Sequence, residues 1–263
     1  MRKLLSEELI QLETELNQLK KELFVEMITE GVDDPGILKC VFLAGGPGSG
    51  KSFTANEIFG VGKGAFNSVS AGGLKIVNSD TAFENALKKN GINPKDLGKM
   101  EKDSDMWDMV AGEDNPNSIR NKAKSITKQQ QAFYEAGRLG MIIDGTGDEV
   151  MKIKKKVEHA EALGYDCYMV FVNTSLEVAQ ARNKKRDRTL PEDLVTQIWK
   201  ACQENLGKFQ TMFSGRFVIV DNTEYKPVSN SVQKQVDAFL RKPIYNPIGK
   251  KWIMGARLLK KYF

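Results

Sequence analysis

Eight consecutive residues, 45–52, read Gly-Gly-Pro-Gly-Ser-Gly-Lys-Ser, and their types and spacing suit the binding of phosphate groups. Glycines let successive backbone N–H groups turn towards one anion, and the N-terminus of a following helix adds positive potential. The pattern G-x-x-x-x-G-K-[ST] is complete, and it lies between a strand-like apolar run and a helical stretch. The sequence therefore predicts a phosphate-binding loop, or P-loop.

Each residue type in this loop has an expected role in binding ATP together with Mg²⁺. The phosphates are predicted to contact Gly45, Gly46, Gly48, Ser49 and Gly50. The ammonium group of Lys51 is expected to reach the β- and γ-phosphates, and the Ser52 hydroxyl is expected to bind Mg²⁺. ATP and Mg²⁺ are thus the predicted cofactors, although the sequence does not distinguish ATP from GTP. Asn222, after the last predicted strand, is a candidate for contacting the base.

Two aspartates follow predicted strands. Asp80 ends the segment Asn78-Ser79-Asp80, and Asp144 ends the apolar run that begins at Met141. Because the carboxyl ends of parallel strands meet at one edge of a sheet, both carboxylates should face the phosphates. Asp80 is expected to accept the proton of an attacking hydroxyl group, and Asp144 to bind Mg²⁺ or its waters. The residues alone leave open an exchange of these roles, or purely structural roles in a cap and a turn.

Cations are concentrated between positions 182 and 188. Arg182 and Arg186 are four residues apart, which predicts that they share one helical face. Pro191 then begins another helix. Two helices joined by a short arginine-bearing turn would form a lid that closes on a triphosphate and neutralises charge during transfer. The alternative is that these cations only stabilise the end of a helix.

The elements that would position these residues form an alternating series. Short apolar runs followed by helical stretches predict a parallel sheet with helices on both faces. The predicted strands are 38–44, 74–78, 141–144, 165–172 and 216–220. The predicted fold is therefore α/β, a three-layer P-loop NTPase fold with a five-stranded parallel sheet. We assign residues 31–240 to this domain.

The two ends of the chain are predicted to be additions to that domain. Residues 1–30 form a predicted heptad helix with leucines at 5, 9, 12, 16, 19 and 23, which would either dock on the domain or join a homo-oligomer. Residues 241–263 form a basic tail with seven Lys or Arg residues, no acidic residue and several aromatic residues. Such a tail either binds nucleic acid or is a solvated, partly docked arm.

Composition excludes several classes of protein. The single histidine, His159, leaves no Ser-His-Asp triad and no His-based metal site. Cys40, Cys167 and Cys202 lack metal-ligand spacing, and we interpret them as buried reduced thiols of a cytoplasmic protein. The apolar runs are too short to cross a membrane.

The motifs together resemble the P-loop kinases that include zeta toxins and the phage polynucleotide 5′-kinase. The correspondence spans roughly residues 38–225 and lies in four places, namely residues 45–52, Asn78-Ser79-Asp80, residues 142–146 and Arg182-Asn183-x-x-Arg186. The resemblance implies that Asp80 is the catalytic base and that Arg182 and Arg186 bind the triphosphate from the lid. It also implies a hydroxyl acceptor on a nucleic acid, a nucleotide or a nucleotide sugar.

Two features depart from that family. An arginine often follows the catalytic aspartate by two or three positions there, whereas Asp80 is followed by Thr81, Ala82 and Phe83. The acidic stretch 101–114 also has no counterpart. The leading hypothesis is an ATP- and Mg²⁺-dependent kinase with an unidentified hydroxyl acceptor. The alternatives are an NTPase and a nucleotide-switched nucleic-acid-binding protein, both without a phosphoryl acceptor.

Overall fold

The computed structural model describes residues 31–34, 36–60, 70, 72–101, 103–186, 189–224 and 226–262. The predicted heptad helix at residues 1–30 lies outside these residues. The boundaries predicted at 30/31 and 240/241 stay predictions. None of the described helices is both long enough and apolar enough to span a membrane.

Five parallel strands form one sheet in the order β2-β3-β1-β4-β5. Their bounds are β1 Lys39–Ala44, β2 Lys75–Val77, β3 Met141–Asp144, β4 Asp166–Asn173 and β5 Phe217–Asp221. β1 and β4 lie inside the sheet and are buried almost throughout, as expected for parallel strands covered on both faces. The predicted five-stranded parallel sheet is confirmed, and each strand begins and ends within one residue of its predicted position.

Nine α-helices are present in the described part of the chain. They are α1 Lys51–Phe59, α2 Ser79–Lys89, α3 Asp105–Ala111, α4 Ile119–Ala136, α5 Val150–Ala162, α6 Leu176–Lys184, α7 Glu192–Phe213, α8 Asn230–Arg241 and α9 Pro247–Tyr262. Several begin where the sequence offers an N-cap, since a Ser or Asn side chain accepts a backbone N–H of the first turn. These caps are Asn78, Ser104, Ser118, Ser175 and Ser229.

The predicted three layers are confirmed, because the sheet separates two hydrophobic cores. Successive residues of a strand point to opposite faces, so β1 sends Val41 to one core and Phe42 to the other. The core that contains Phe42 also receives side chains of α5 and α7, and the core that contains Val41 receives side chains of α1 and α8. The sheet is therefore held rigidly between two helical layers.

A helical insertion, residues 79–136, stands between β2 and β3. It consists of α2, a 3₁₀ helix at Pro94–Lys99, α3 and α4. Its elements share a small core of their own, formed by Phe83, Leu87, Leu97, Val110 and Ala123. The sequence analysis placed no helix in the acidic stretch 101–114, where α3 lies. The insertion packs beside the edge strand β2 through α4.

The basic tail contains a docked helix. The side chain of Asn246 donates to the backbone oxygens of Glu161 and Tyr165, at 2.8 and 3.2 Å, and so fixes the chain just before α9. A Cβ on either Gly164 or Gly249 would collide with the backbone of the other, which shows how closely α9 approaches the domain. This contact lies at the amino edge of the sheet, opposite the P-loop.

Candidate active site

The P-loop connects β1 to α1 through backbone conformations that favour glycine. Gly45, Gly48 and Gly50 have φ angles of 152°, 75° and 88°. A Cβ on Gly48 would collide with the carbonyl group of Ala179, and one on Gly45 with the carbonyl group of Val172. These glycines therefore allow the loop to approach the backbone of β4 and α6 closely.

Lys51, the first residue of α1, lies against the loop that precedes it. Its Nζ donates to the Gly45 carbonyl at 2.7 Å and to the Gly46 carbonyl at 3.4 Å. The next residue, Ser52, is exposed. Ser49 is 1% exposed, and its hydroxyl oxygen has no hydrogen-bond partner among the described residues. The ammonium group is thus placed at the loop, where phosphate oxygens can replace the two carbonyl groups.

Asn222, which follows β5, supports the loop from behind. Its side chain is 3% exposed and donates to the Ser49 backbone oxygen at 2.7 Å. Its backbone oxygen accepts a hydrogen bond of 2.8 Å from Nη1 of Arg182. One N–H of the amide therefore holds the loop, and the contact of Asn222 with the base stays a prediction. Sequence inspection missed this supporting role because Asn222 and Ser49 are far apart in the chain.

The predicted lid consists of α6, a short turn and α7. Arg182 lies on α6, but the helix ends at Lys184, so Arg186 is beyond it and exposed. The prediction that the two arginines share one helical face is wrong. The chain turns instead, and the Asn183 side chain contacts both the oxygen and the nitrogen of Leu190 at 2.7 and 3.0 Å. Asn183 is buried, so it fixes the turn that carries Arg186.

Asp144 lies beside the P-loop strand, because β3 pairs directly with β1 and Asp144 is in register with Leu43. Its Oδ2 accepts a hydrogen bond of 2.8 Å from Asn78. Its Oδ1 is buried and has no hydrogen-bond partner within the described chain. Burial raises the pKa of this carboxyl, the charge of Lys51 lowers it and the charge of Asp80 raises it. A cation at Oδ1 would relieve the cost of burying this charge.

Asp80 lies in the first turn of α2. Its backbone N–H donates to Asn78 Oδ1 at 2.8 Å, and its Oδ1 accepts a hydrogen bond of 2.9 Å from Arg120. The side chain is 49% exposed, so it faces the open side of the site. Asn78 therefore links the two acidic residues, since its nitrogen donates to the Asp144 carboxylate and its oxygen accepts the backbone N–H of Asp80.

Arg120 is the residue that the sequence analysis missed at this site. It belongs to α4 and lies over the ring of Phe83, 4.9 Å from the ring centre, while it binds Asp80. The resemblance led us to look for an arginine directly after Asp80, but this one is 40 residues further along the chain. Only the tertiary contact between α2 and α4 reveals it.

The donor set fits Mg²⁺ held together with phosphates. Within the described residues, no cluster of three or more His, Cys, Asp or Glu side chains could hold a metal ion. Mg²⁺ commonly uses one or two protein carboxylates, with phosphate oxygens and water completing its shell. The Asp144 Oδ1 without a partner and the exposed Ser52 hydroxyl are suitable donors for such a shell.

A family profile described as AAA domain (AAA_33) matches residues 41–209, which is more than half of the chain. The chain belongs to this AAA domain family. The match includes the whole loop from Gly45 to Ser52, together with Asp80, Asp144, Arg182 and Arg186. It supports the predicted P-loop NTPase fold, whereas the closer resemblance to zeta toxins and the phage kinase stays a prediction.

Solved structures show only distant likeness. One, from a study of the PezAT chromosomal toxin–antitoxin system of Streptococcus pneumoniae, has 15% identity and a TM-score of 0.45, covering 85% of each chain. The AvrRxo1-ORF1:-ORF2 complex with ATP has 12% identity and a TM-score of 0.46, covering 95% of this chain and 86% of that one. A gluconokinase from Sinorhizobium meliloti 1021 has 17% identity and a TM-score of 0.39, covering 86% and 96%. No curated protein matches the sequence significantly.

Proposed function

We propose that this protein is a kinase that transfers the γ-phosphate of ATP, bound with Mg²⁺, to a hydroxyl group. The observation that carries the proposal is that Asn78 links two acidic residues at the carboxyl edge of the sheet, because it donates to the Asp144 carboxylate and accepts the backbone N–H of Asp80. Asp144 is beside the P-loop strand, and Asp80 is in the first turn of α2 with a side chain that is 49% exposed. The Asp144 carboxylate can then bind the metal ion, while the Asp80 carboxylate accepts a proton from the acceptor hydroxyl.

The loop side would bind and orient the nucleotide. Lys51 would exchange its two carbonyl partners for phosphate oxygens, and the loop N–H groups with the N-terminus of α1 would add further donors. Arg182, fixed at Asn222, would place positive charge behind the loop. Mg²⁺, held by Asp144 and Ser52, would neutralise charge on the phosphates.

The open side would prepare the acceptor. Asp80, oriented by Asn78 and Arg120, would accept the proton of the acceptor hydroxyl as that oxygen attacks the γ-phosphorus. The resemblance places the acceptor hydroxyl on a nucleic acid, a nucleotide or a nucleotide sugar.

The test is transfer from γ-labelled ATP with Mg²⁺ to a panel of 5′-hydroxyl DNA and RNA, hydroxymethylated DNA, nucleosides and nucleotide sugars. We expect Asp80→Asn to lower transfer by about 10²–10⁴-fold while ATP binding is retained, because the base is lost and the loop is not. Lys51→Ala should abolish transfer by weakening phosphate binding. Asp105→Asn, which removes an exposed carboxylate of α3, is the matched control.

The same experiment separates the two alternatives. Labelled inorganic phosphate without any labelled acceptor, at a rate unchanged by Asp80→Asn, would contradict the kinase and indicate an NTPase. ATP binding without turnover, together with nucleic-acid binding that depends on nucleotide, would indicate a switch. Normal transfer by Asp80→Asn would show that Asp80 is not the base.

A further inference from the structure

Helix α9 is buried on one side and exposed on the other. Gly249 and Ala256 are buried, and Trp252 and Ile253 pack on the core of the domain. The outer side carries four large apolar residues with exposed fractions of 52% for Ile248, 66% for Met254, 56% for Leu258 and 76% for Tyr262. Positions four or fourteen residues apart fall on one side of an α-helix, so these four form one row. We call them the outer apolar row.

The outer apolar row is accompanied by positive charge. α9 contains no acidic residue, and its cations are Lys250, Lys251, Arg257, Lys260 and Lys261. Large apolar side chains exposed together on one side of a helix are typical of a contact with another segment or molecule. The cations favour an occupant with acidic residues beside its own apolar row.

We propose that residues 1–30 of the same chain cover the outer apolar row. Their leucines are spaced alternately by four and three, a pattern that packs against one other helix. Glu8, Glu15 and Glu22 each precede one of these leucines and recur every seven residues, a spacing that would place them along one edge of the leucine row in a helix. Residues 1–30 contain seven Glu against four Lys or Arg, which complements Lys250, Lys251 and Lys261, the cations of α9 that Asp33 does not bind.

The start of the described chain lies at α9. Asp33 accepts hydrogen bonds of 3.1 Å from both Arg257 and Lys260, and Val32 is 1% exposed. From Leu23 to Gly31 the chain can extend by about 29 Å at roughly 3.6 Å per residue. A helix with its side chains is about 10–12 Å wide, so the leucines can reach the far side of α9.

Two other exposed apolar faces compete for these residues, one with Met106 and Met109 on α3, 58% and 64% exposed, and one on α4. Ile126 and Phe133 lie seven residues apart on α4 and are 53% and 74% exposed. This face offers two large apolar side chains where α9 offers four. Among the ion pairs of the described residues, those of Asp33 join it to α9 and none joins residues 31–34 to α4. The larger number of exposed apolar side chains and the ion pairs of Asp33 therefore favour α9 as the surface that residues 1–30 cover. The face on α4 supplies a matched control.

The test is hydrogen exchange of the full chain, followed by mass spectrometry of peptides from residues 4–24. Met254→Lys with Leu258→Lys should make these peptides exchange at least about tenfold faster, because the apolar contact is lost. Ile126→Lys with Phe133→Lys should leave the exchange unchanged. All four positions are exposed and lysine is a good helix former, so both proteins should keep the melting temperature of their folded domain. Loss of protection in the α4 variant alone, or in neither variant, would overturn the proposal.

A nitroxide label distinguishes the same chain from a second copy. Gly255 is on α9, and Gly207 on α7 serves as control, since a Cβ at either position meets no atom within 4 Å. The native Cys40, Cys167 and Cys202 are buried, so a cysteine introduced at position 255 can be labelled selectively. Broadening of NMR signals of residues 5–23 within the labelled chain, and not with the label at 207, is the expected result. Broadening found only between mixed chains would mean that a second copy covers the row.

Two further outcomes would assign the row to another class of partner. If α9 variants lost binding to duplex DNA while residues 4–24 kept their exchange rates, the partner would be nucleic acid. The same result with anionic phospholipid vesicles would indicate a membrane surface. Either finding would contradict coverage by residues 1–30. None of these measurements uses phosphate transfer, so the proposal stands or fails independently of the kinase.

Discussion

The amino edge and the carboxyl edge of the sheet, where its strands begin and end, each have a lysine near an aspartate. The two pairs differ in the hydrogen-bond partners of their polar atoms. At the amino edge, Lys39 and Asp166 form a buried ion pair of 3.1 Å, and Asp166 also accepts the backbone N–H groups of Tyr245 and Asn246. At the carboxyl edge, Lys51 donates to two loop carbonyls, and Asp144 has a buried oxygen without a hydrogen-bond partner in the described chain.

This difference separates a structural pair from a binding site. Buried charges that find partners hold segments together, and here the pair joins β1, β4 and the segment that leads into α9. A buried oxygen without a partner costs free energy, and it persists where a ligand supplies the partner. The comparison therefore predicts that substitutions at the amino edge reduce stability, whereas those at the carboxyl edge change ligand binding.

The largest expected effect is on stability, from Lys39→Met. Removing one partner leaves the Asp166 charge buried, which should lower the free energy of unfolding by about 3–5 kcal/mol. ATP affinity of the folded protein should be unchanged, because the substitution is at the opposite edge from the P-loop. Urea unfolding and nucleotide titration measure the two quantities.

The control for this prediction adds Asp166→Asn to Lys39→Met. The asparagine oxygen can still accept a backbone N–H from Tyr245 or Asn246, yet it carries no charge, so part of the lost stability should return. A double variant as unstable as Lys39→Met, or a single variant as stable as the native chain, would contradict a structural role for the pair.

The sequence predicted one edge of the sheet much better than the other. The P-loop is a local motif, and the acids at positions 80 and 144 follow apolar runs directly, so spacing alone placed them at the carboxyl edge. The Lys39–Asp166 pair joins residues 127 positions apart, and no local pattern signals it. For the same reason Arg120 was missed, and Asn222 was named only as a candidate for contacting the base and not as a support of the loop. Arg186 was predicted to lie on the same helical face as Arg182. Helical periodicity does not show that α6 ends at Lys184 and that the Asn183 side chain binds Leu190 beyond it.

The next largest effect is expected from Asn222→Ala, which removes the support behind the P-loop. Loss of this amide leaves the buried Ser49 carbonyl without its donor, at a cost of about 1–3 kcal/mol. We expect the dissociation constant for ATP with Mg²⁺ to rise by about 5- to 100-fold, as measured by calorimetry. Asp221→Asn, at the exposed neighbouring position, is the control and should bind ATP normally. Unchanged affinity in Asn222→Ala would mean that the loop does not depend on this contact.

The smallest effect, an increase in stability, is expected from Asp144→Asn without nucleotide. Burial raises the pKa of Asp144, so the folded protein holds this proton to a higher pH than the unfolded chain, and the ionised carboxylate lowers stability at neutral pH. Asparagine removes that charge and should raise the melting temperature at pH 7 by a few degrees. The advantage should shrink as the pH falls through the pKa of folded Asp144, because the native side chain then becomes neutral as well. With ATP and Mg²⁺ present the order should reverse, since the aspartate gains a cation that asparagine binds weakly. If Asp144→Asn were less stable than the native chain at pH 7 without ligand, the folded protein would already stabilise the charge of Asp144, as it stabilises that of Asp166 at the amino edge.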